Sequence, residues 1–319
     1  MPAWLGRLAL PLLLLAALPA AAADKLTVLL DWYVNPDHAP LVVAREKGFF
    51  AEEGLDVALV APADPNDPPK LVAAGQADIA VSYQPQLHLQ VAEGLPLVRI
   101  GTLVATPLNC LVVLADGPVR RIEDLKGRKV GYSIAGIEEA LLAAMLEQHG
   151  LKLEDVELVN VNFSLSPSLL AGQVDAVIGA FRNFELSQMD LAGHPGRAFF
   201  PEEEGVPAYD ELIFEARGDR LDRPELQRFL RAVERATLWL TNHPEEGWAL
   251  FKATDPALAD ELNQRAWDAT LPRLAHRPAA LDHGRYERFA AFLAQEKLVS
   301  APPAVASYAV DLFQGKKGE

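Results

Sequence analysis

The chain has one cysteine, Cys110, in 319 residues. A single thiol excludes an intrachain disulfide framework, a Cys-rich zinc site and a Cys-ligated iron–sulfur cluster. Positive charge is also scarce: 29 Lys and Arg stand against 44 Asp and Glu, a formal net charge of -15. That sign argues against nonspecific nucleic-acid binding and against adhesion to anionic lipid. Beyond residue 23 no run is apolar enough to span a bilayer. H-E-x-x-H, G-x-S-x-G, Walker A and G-x-G-x-x-G are missing, and His243, His276 and His283 lack metal-ligand spacing. No metal and no cofactor is expected.

Apolar material is plentiful. Half of the residues are hydrophobic, enough for one or two packed cores. The first 23 residues read as a secretory signal peptide: Arg7, the apolar run Leu8 to Leu18, then Ala20-Ala21-Ala22-Ala23. That run is too short for a membrane span, and no cysteine follows it to accept a lipid. An exported, soluble mature chain beginning after Ala23 is expected.

A repeat organises the middle of the chain. Ala74-Gly75-Gln76-Ala77-Asp78-Ile79-Ala80-Val81 recurs as Ala171-Gly172-Gln173-Val174-Asp175-Ala176-Val177-Ile178. Asp56 to Val60 and Asp155 to Val159 precede the two copies, and Leu26 to Leu30 and Lys129 to Tyr132 lie further upstream. Each half reads strand, helix, strand, helix, strand. Two copies are too few for a solenoid, so two facing α/β halves fit better. Gly75 and Gly172 suit helix C-caps.

Within the halves, the pattern predicts a strand from Val28 to Asp31 and helices from Ala39 to Lys47, Lys70 to Ala74 and Gly136 to His149. Ser166-Pro167 would open another helix as N-cap and first residue. After about residue 207 the pattern is helical, with Leu226, Phe229, Leu230, Val233, Ala236 and Leu240 marking a helix from Pro224 to Asn242. The order suggests a first lobe of residues 24–106 and 208–319, its C-terminal helices included, and an inserted second lobe of 107–207. Crossings are expected at Leu103 to Leu108 and near Val206-Pro207-Ala208, with hinge closure around a ligand.

Three runs carry a family resemblance: Leu30-Asp31-Trp32-Tyr33-Val34-Asn35-Pro36-Asp37-His38-Ala39-Pro40 with Ala44 to Val57, Gly75 to Pro85, and Gly179-Ala180-Phe181-Arg182-Asn183-Phe184-Glu185. They resemble the thiamine-pyrimidine branch of periplasmic binding proteins, ThiY-like or NMT1/THI5-like members of the SsuA/THI5 superfamily. The resemblance covers essentially the whole mature chain. The stretch from Ala44 to Gly54 is shared with sulfonate, nitrate and taurine binders. The resemblance implies the type II binding-protein fold, two lobes each built on a mixed sheet flanked by helices. It also implies a periplasmic monomer serving an ABC transporter permease in the inner membrane, and capture of formylaminopyrimidine. Alternatives are a binder of riboflavin or an alkanesulfonate, or a pyrimidine synthase of the same superfamily.

Candidate ligand contacts follow. Trp32, Tyr33 and Tyr83 stand at strand ends, where open α/β sheets place ligands, and could stack on a flat ring. Asn35 and His38 offer donors and acceptors for a pyrimidine edge. Asn183 and Glu185 follow the matching strand of the second half, where a carboxylate can accept from an exocyclic amine. Arg182, Glu202-Glu203-Glu204 and Lys316-Lys317 read as surface charge. The loop Gly131 to Gly136 has backbone N–H groups suited to an anion, but no Lys-Ser/Thr follows it and Glu138 and Glu139 oppose a phosphate. In the fungal synthases the matching loop grips a phosphate, and a histidine matching His38 is consumed with iron and a Cys-rich motif. Where that motif would fall, near Tyr209 to Phe214, no cysteine stands. Cys110, in an apolar strand, is expected to be buried and inert. Catalysis is not expected.

Overall fold

A computed structural model describes residues 22–314. Nearly all of the expected signal peptide, and Lys316-Lys317, lie outside the described residues. The first half runs β1 (Asp24–Leu29), α1 (Ala39–Glu46), α2 (Phe49–Glu52), β2 (Leu55–Val60), α3 (Pro68–Ala73), β3 (Ile79–Ser82), α4 (Gln84–Ala92) and β4 (Leu97–Val104). The second runs β5 (Asn109–Leu114), β6 (Lys129–Tyr132), α5 (Ile137–Gln148), β7 (Glu157–Asn160), α6 (Leu165–Leu170), β8 (Ala176–Phe181), α7 (Glu185–Leu191) and β9 (Gly196–Phe199). The chain returns through β10 (Leu212–Arg217) to α8 (Pro224–Asn242), α9 (Pro244–Ala253), α10 (Glu261–Thr270) and α11 (His283–Gln295).

Two mixed sheets result, ordered β2-β1-β3-β10-β4 and β7-β6-β8-β5-β9. In each, the fourth strand runs antiparallel to both neighbours. That strand is supplied by a crossing. The chain leaves β4 and enters β5 after residues 105–108, then leaves β9 and enters β10 after residues 200–211.

The sequence repeat has a physical purpose. Gly75 and Gly172 take φ of +75° and +68°, the left-handed conformation that ends a helix with its last carbonyls satisfied. Three residues on, Asp78 accepts the Thr27 amide at 2.8 Å and Asp175 accepts the Lys129 amide at 3.0 Å. Each aspartate thus registers the incoming central strand against its parallel neighbour, β1 for β3 and β6 for β8. The repeat builds the fold and stays away from the cleft.

Helix α8 packs on α1 and α2, and Phe229, Leu230, Val233 and Leu240 join the core that holds Leu26 and Val28 of β1. Helix α5 lies between two cores. Ile137, Leu141 and Ala144 join the core of the first sheet, whereas Leu142, Met145 and Leu146 join that of the second. This helix therefore has a packing partner on both faces.

Three local expectations need correction. Strand β1 spans Asp24–Leu29 and ends before Asp31, whose carboxylate turns toward His38 and Tyr83. Helix α6 begins at Leu165 with Ser164 as its N-cap, and Ser166 is buried inside it. Pro167 then falls in the first turn, where no N–H has an intrahelical acceptor, so its missing donor costs nothing. Helix α10 does more than cover the first sheet, since it also packs on α7 of the second half.

The paired aspartates give a prediction. Asp78→Ala orphans the Thr27 amide and breaks an ion pair to Arg223 of 2.6 Å, and Asp175→Ala orphans the Lys129 amide and an ion pair to Arg128 of 3.1 Å. Each should cost about 1 to 3 kcal/mol by denaturant unfolding. Asp78→Ala should cost more, its carboxylate being the less exposed of the two. Equal stability of both variants and the parent would refute this role.

Candidate functional site

The carboxyl ends of both sheets open on one cleft, lined by residues of both halves. From the first half come Asp31, Trp32, Asn35, Asp37, Tyr83 and Pro85, all in the segments leaving β1 and β3. From the second come Asn109, Ile134, Ile137, Glu138, Leu141, Leu165, Gly179, Phe181, Phe184 and Glu185, and the return crossing adds Tyr209 and Glu211.

Asp31 organises the first wall. Its Oδ1 lies 2.8 Å from His38 Nε2, and its Oδ2 accepts from the Tyr83 hydroxyl at 3.0 Å. The Asn35 amide donates to His38 Nδ1 at 3.3 Å, which assigns the ring proton to Nε2. Burial, then the Asp31 charge, push the Tyr83 phenol well above its ordinary value, so its proton stays in place. Tyr83 meets Phe181 edge to face across the cleft, with centroids 6.3 Å apart. Trp32 meets Phe163 in the same manner at 4.5 Å.

The other carboxyls are fixed by backbone. Glu185 accepts from the Phe181 amide at 2.7 Å, and Glu138 accepts from the Ser133 amide at 2.6 Å. Glu211 accepts from the amides of Leu108 and Asn109 at 2.5 and 2.9 Å, bridging 103 and 102 positions of sequence. Gly179 has φ of +96°, and any Cβ there would fall inside the Glu138 carboxyl. Only glycine lets β8 pass that close to the side chain.

Five carboxyls thus line the cleft, and neither Lys nor Arg does. Burial disfavours the charged forms of Asp37, Glu138, Glu185 and Glu211. It pushes Asp37 up to about 6, Glu185 and Glu211 to about 7 and Glu138 to about 8, against the amide bonds that pull the glutamates down. Near neutral pH the wall therefore offers both O–H donors and carboxylate acceptors.

Of the residues singled out in the sequence, Trp32, Asn35, Tyr83 and Glu185 stand on the cleft wall. Three do not. His38 is fully buried behind Asp31, because both ring nitrogens are already engaged. Asn183 sits beside the cleft and donates to Asp37 Oδ1 at 2.7 Å and to Thr270 Oγ1 at 2.8 Å, joining the two halves. Tyr33 is 55% exposed and lies on Phe163 in an outer groove.

The charges read as surface also need revision. Arg182 is half-buried, pairs with Glu202 at 2.5 Å and donates to the carbonyls of Leu108 and Asn109. Glu204 pairs with His149 at 2.7 Å. Cys110 is buried as expected, donates to the Ala180 carbonyl, and its thiol is pushed far up by burial.

Sequence reasoning missed Asp31, Asp37, Glu138, Phe181, Tyr209 and Glu211 as cleft residues. Asp31 had a usable signal, the strand edge next to Trp32. Glu211 had none, since its place depends on two crossings meeting.

These carboxyls set a pH dependence. The folded state keeps protons that the unfolded chain releases, so their contribution is complete below about 4.5 and lost as pH rises through about 6 to 8. Buried Glu215, pushed up to about 8 in the first sheet, adds to it. Without ligand, the melting temperature should fall between about pH 5 and pH 8, and Glu215→Gln should flatten part of that fall. A rising profile over this window would contradict the assignment.

Comparison with known proteins agrees with this architecture. Residues 35–247 match the model of the family described as NMT1/THI5 like. A Haemophilus influenzae protein provisionally named for thiamine biosynthesis is 54% identical over 300 residues, covering 94% of this chain and 96% of its own. The formylaminopyrimidine-binding protein of Halalkalibacterium halodurans is 38% identical over 227 residues, covering 70% and 69%. A 4-amino-5-hydroxymethyl-2-methylpyrimidine phosphate synthase of Legionella pneumophila is 29% identical over 255 residues, covering 78% and 79%. Among solved structures, the alkanesulfonate-binding protein of Xanthomonas axonopodis pv. citri superposes with a TM-score of 0.70 at 18% identity, over 91% of this chain and 99% of that one. The fold is that of the periplasmic binding proteins, and the chain belongs to the NMT1/THI5-like family.

Proposed function

We propose that this protein captures formylaminopyrimidine between two lobes, 24–106 with 208–319 and 107–207, and delivers it to an ABC importer. It acts as an exported monomer without catalytic turnover. The observation that carries the reading is the cleft wall: aromatic rings with five carboxyls and no cation. A sulfonate would find no Lys or Arg among the described cleft residues to balance its charge. A neutral aminopyrimidine presents an amine to a carboxylate, ring nitrogens to a protonated carboxyl, and a flat face to Trp32 and Tyr83. Glu185 takes the amine from the second half, whereas Asn35 and Asp31 act from the first. Asn183 contributes indirectly by holding Asp37. Among the described residues no helix is long and apolar enough to cross a membrane, which agrees with a protein that relies on a separate permease.

A synthase is disfavoured by two features of this chain. The return crossing carries Tyr209 and Glu211 with no thiol, and His38 is enclosed and doubly bonded. Incubation with iron, oxygen and pyridoxal phosphate should release no pyrimidine and leave His38 intact by mass. A lost imidazole fragment would establish the synthase instead.

Calorimetry tests the binding role. Formylaminopyrimidine should bind, and riboflavin and alkanesulfonates should not. Glu185→Ala should cost about 1 to 3 kcal/mol of binding by leaving the amine unpaired. Trp32→Ala should cost as much or more through lost burial and stacking. Tyr33→Ala, in the outer groove, should change affinity by less than about 0.5 kcal/mol. Unchanged affinity in both cleft variants would refute the assignment.

A further inference from the structure

The loop joining β6 to α5 has three of its backbone amides already occupied. Ser133 N donates to Glu138 Oε2 at 2.6 Å. Ala135 N donates to Asn66 Oδ1 at 2.9 Å, and Gly136 N donates to Glu139. Consecutive amides at a strand-to-helix turn form the usual seat of a phosphate. Here the chain's own side chains sit in it.

Glu138 matters most, because it faces the cleft. Its residue is 4% exposed, it lines the cavity, and the glycine at position 179 leaves room for its carboxyl against β8. We propose that Glu138 is a specificity-determining residue that restricts the cavity to unphosphorylated ligands. This rests on the aminopyrimidine reading and extends it: the protein takes the free pyrimidine and rejects its phosphate monoester.

The reason is occupancy first. With or without its proton, Glu138 holds the Ser133 amide, so an incoming phosphate finds that donor taken. Charge adds to this. No Lys or Arg lines the cleft to balance a dianion, and Glu211 and Glu185 lie on the same wall. An ester would have to displace a buried carboxyl and enter a cavity with no cation to balance it. A phosphate-binding relative needs the opposite arrangement at this loop, with the amides left open.

The test compares 4-amino-5-hydroxymethyl-2-methylpyrimidine with its phosphate monoester by calorimetry, on the parent protein, Glu138→Ala and Glu138→Gln. The parent should prefer the alcohol by on the order of 100-fold. Glu138→Ala frees the Ser133 amide and removes the blocking carboxyl, and should narrow that ratio at least about tenfold by gaining ester affinity. Glu138→Gln keeps the shape, so it protects the fold, and should narrow the ratio by a smaller factor. Inorganic phosphate serves as an independent probe: Glu138→Ala should show a phosphate-dependent rise in melting temperature that the parent lacks. If no protein binds either of these pyrimidines or formylaminopyrimidine, the ligand reading fails, while the phosphate probe still decides the role of Glu138. An unchanged ester-to-alcohol ratio in a variant that binds the alcohol overturns the proposal. So does the absence of a phosphate response in folded Glu138→Ala, and so does a parent that binds ester and alcohol alike. Should Glu138→Ala not fold, an unchanged ratio in Glu138→Gln overturns it.

Discussion

The carboxyl group of Glu211, on the return crossing, accepts from the amides of Leu108 and Asn109 on the outward one. The two strands that exchange sheets are held side by side there. Arg182 reinforces the junction by donating to the carbonyls of the same two residues while pairing with Glu202. With the crossings fixed, the carboxyl edges of both sheets face each other. Asp31 and Tyr83 then arrive on one wall, and Phe181 and Glu185 on the other. Without that carboxyl, two buried amides lose their acceptor at the seam between the sheets.

Away from the crossings, the halves also meet through polar and aromatic contacts. Asn183 bonds Asp37 and Thr270, Asn66 bonds the Ser133 carbonyl and the Ala135 amide, and Trp32 meets Phe163. Contacts of this kind contribute about 0.5 to 1.5 kcal/mol each, and the packing of Ile137, Leu141 and Ala144 against the core of the first sheet adds to them. On the proposed reading, a ligand paired with both walls adds enough to shift that balance toward the closed form. Burial of the carboxyls serves the same end, because a wall that keeps its protons can bury a neutral ring without leaving unpaired charge.

The legible part of the sequence is the part governed by local rules. The repeated Gly and Asp at 75, 78, 172 and 175 mark the same turn in each half, and the apolar spacing from Leu226 to Leu240 marks α8. Trp32 and Tyr83 were visible from their strand ends. His38 was misplaced because a histidine near a helix start looks the same whether it faces a cleft or backs an aspartate. Asn183 was misplaced because its partner, Thr270, lies 87 residues away on α10. Glu202 and Glu204 looked like an exposed acid run until Arg182 and His149 were brought to them. The carboxyl character of the cleft was hidden for the same reason: four segments each contribute one or two acids, and no segment looks acidic alone. Its chemical meaning depends on burial, which pattern and spacing do not report.

On the proposed reading, recognition and closure are one event, since the walls that would pair with the ligand belong to different sheets. Small-angle scattering on the mature protein, with and without formylaminopyrimidine at concentrations shown by calorimetry to saturate it, measures this directly. The radius of gyration should fall on binding, as the halves rotate about residues 105–108 and 200–211. An unchanged radius at full saturation would contradict it.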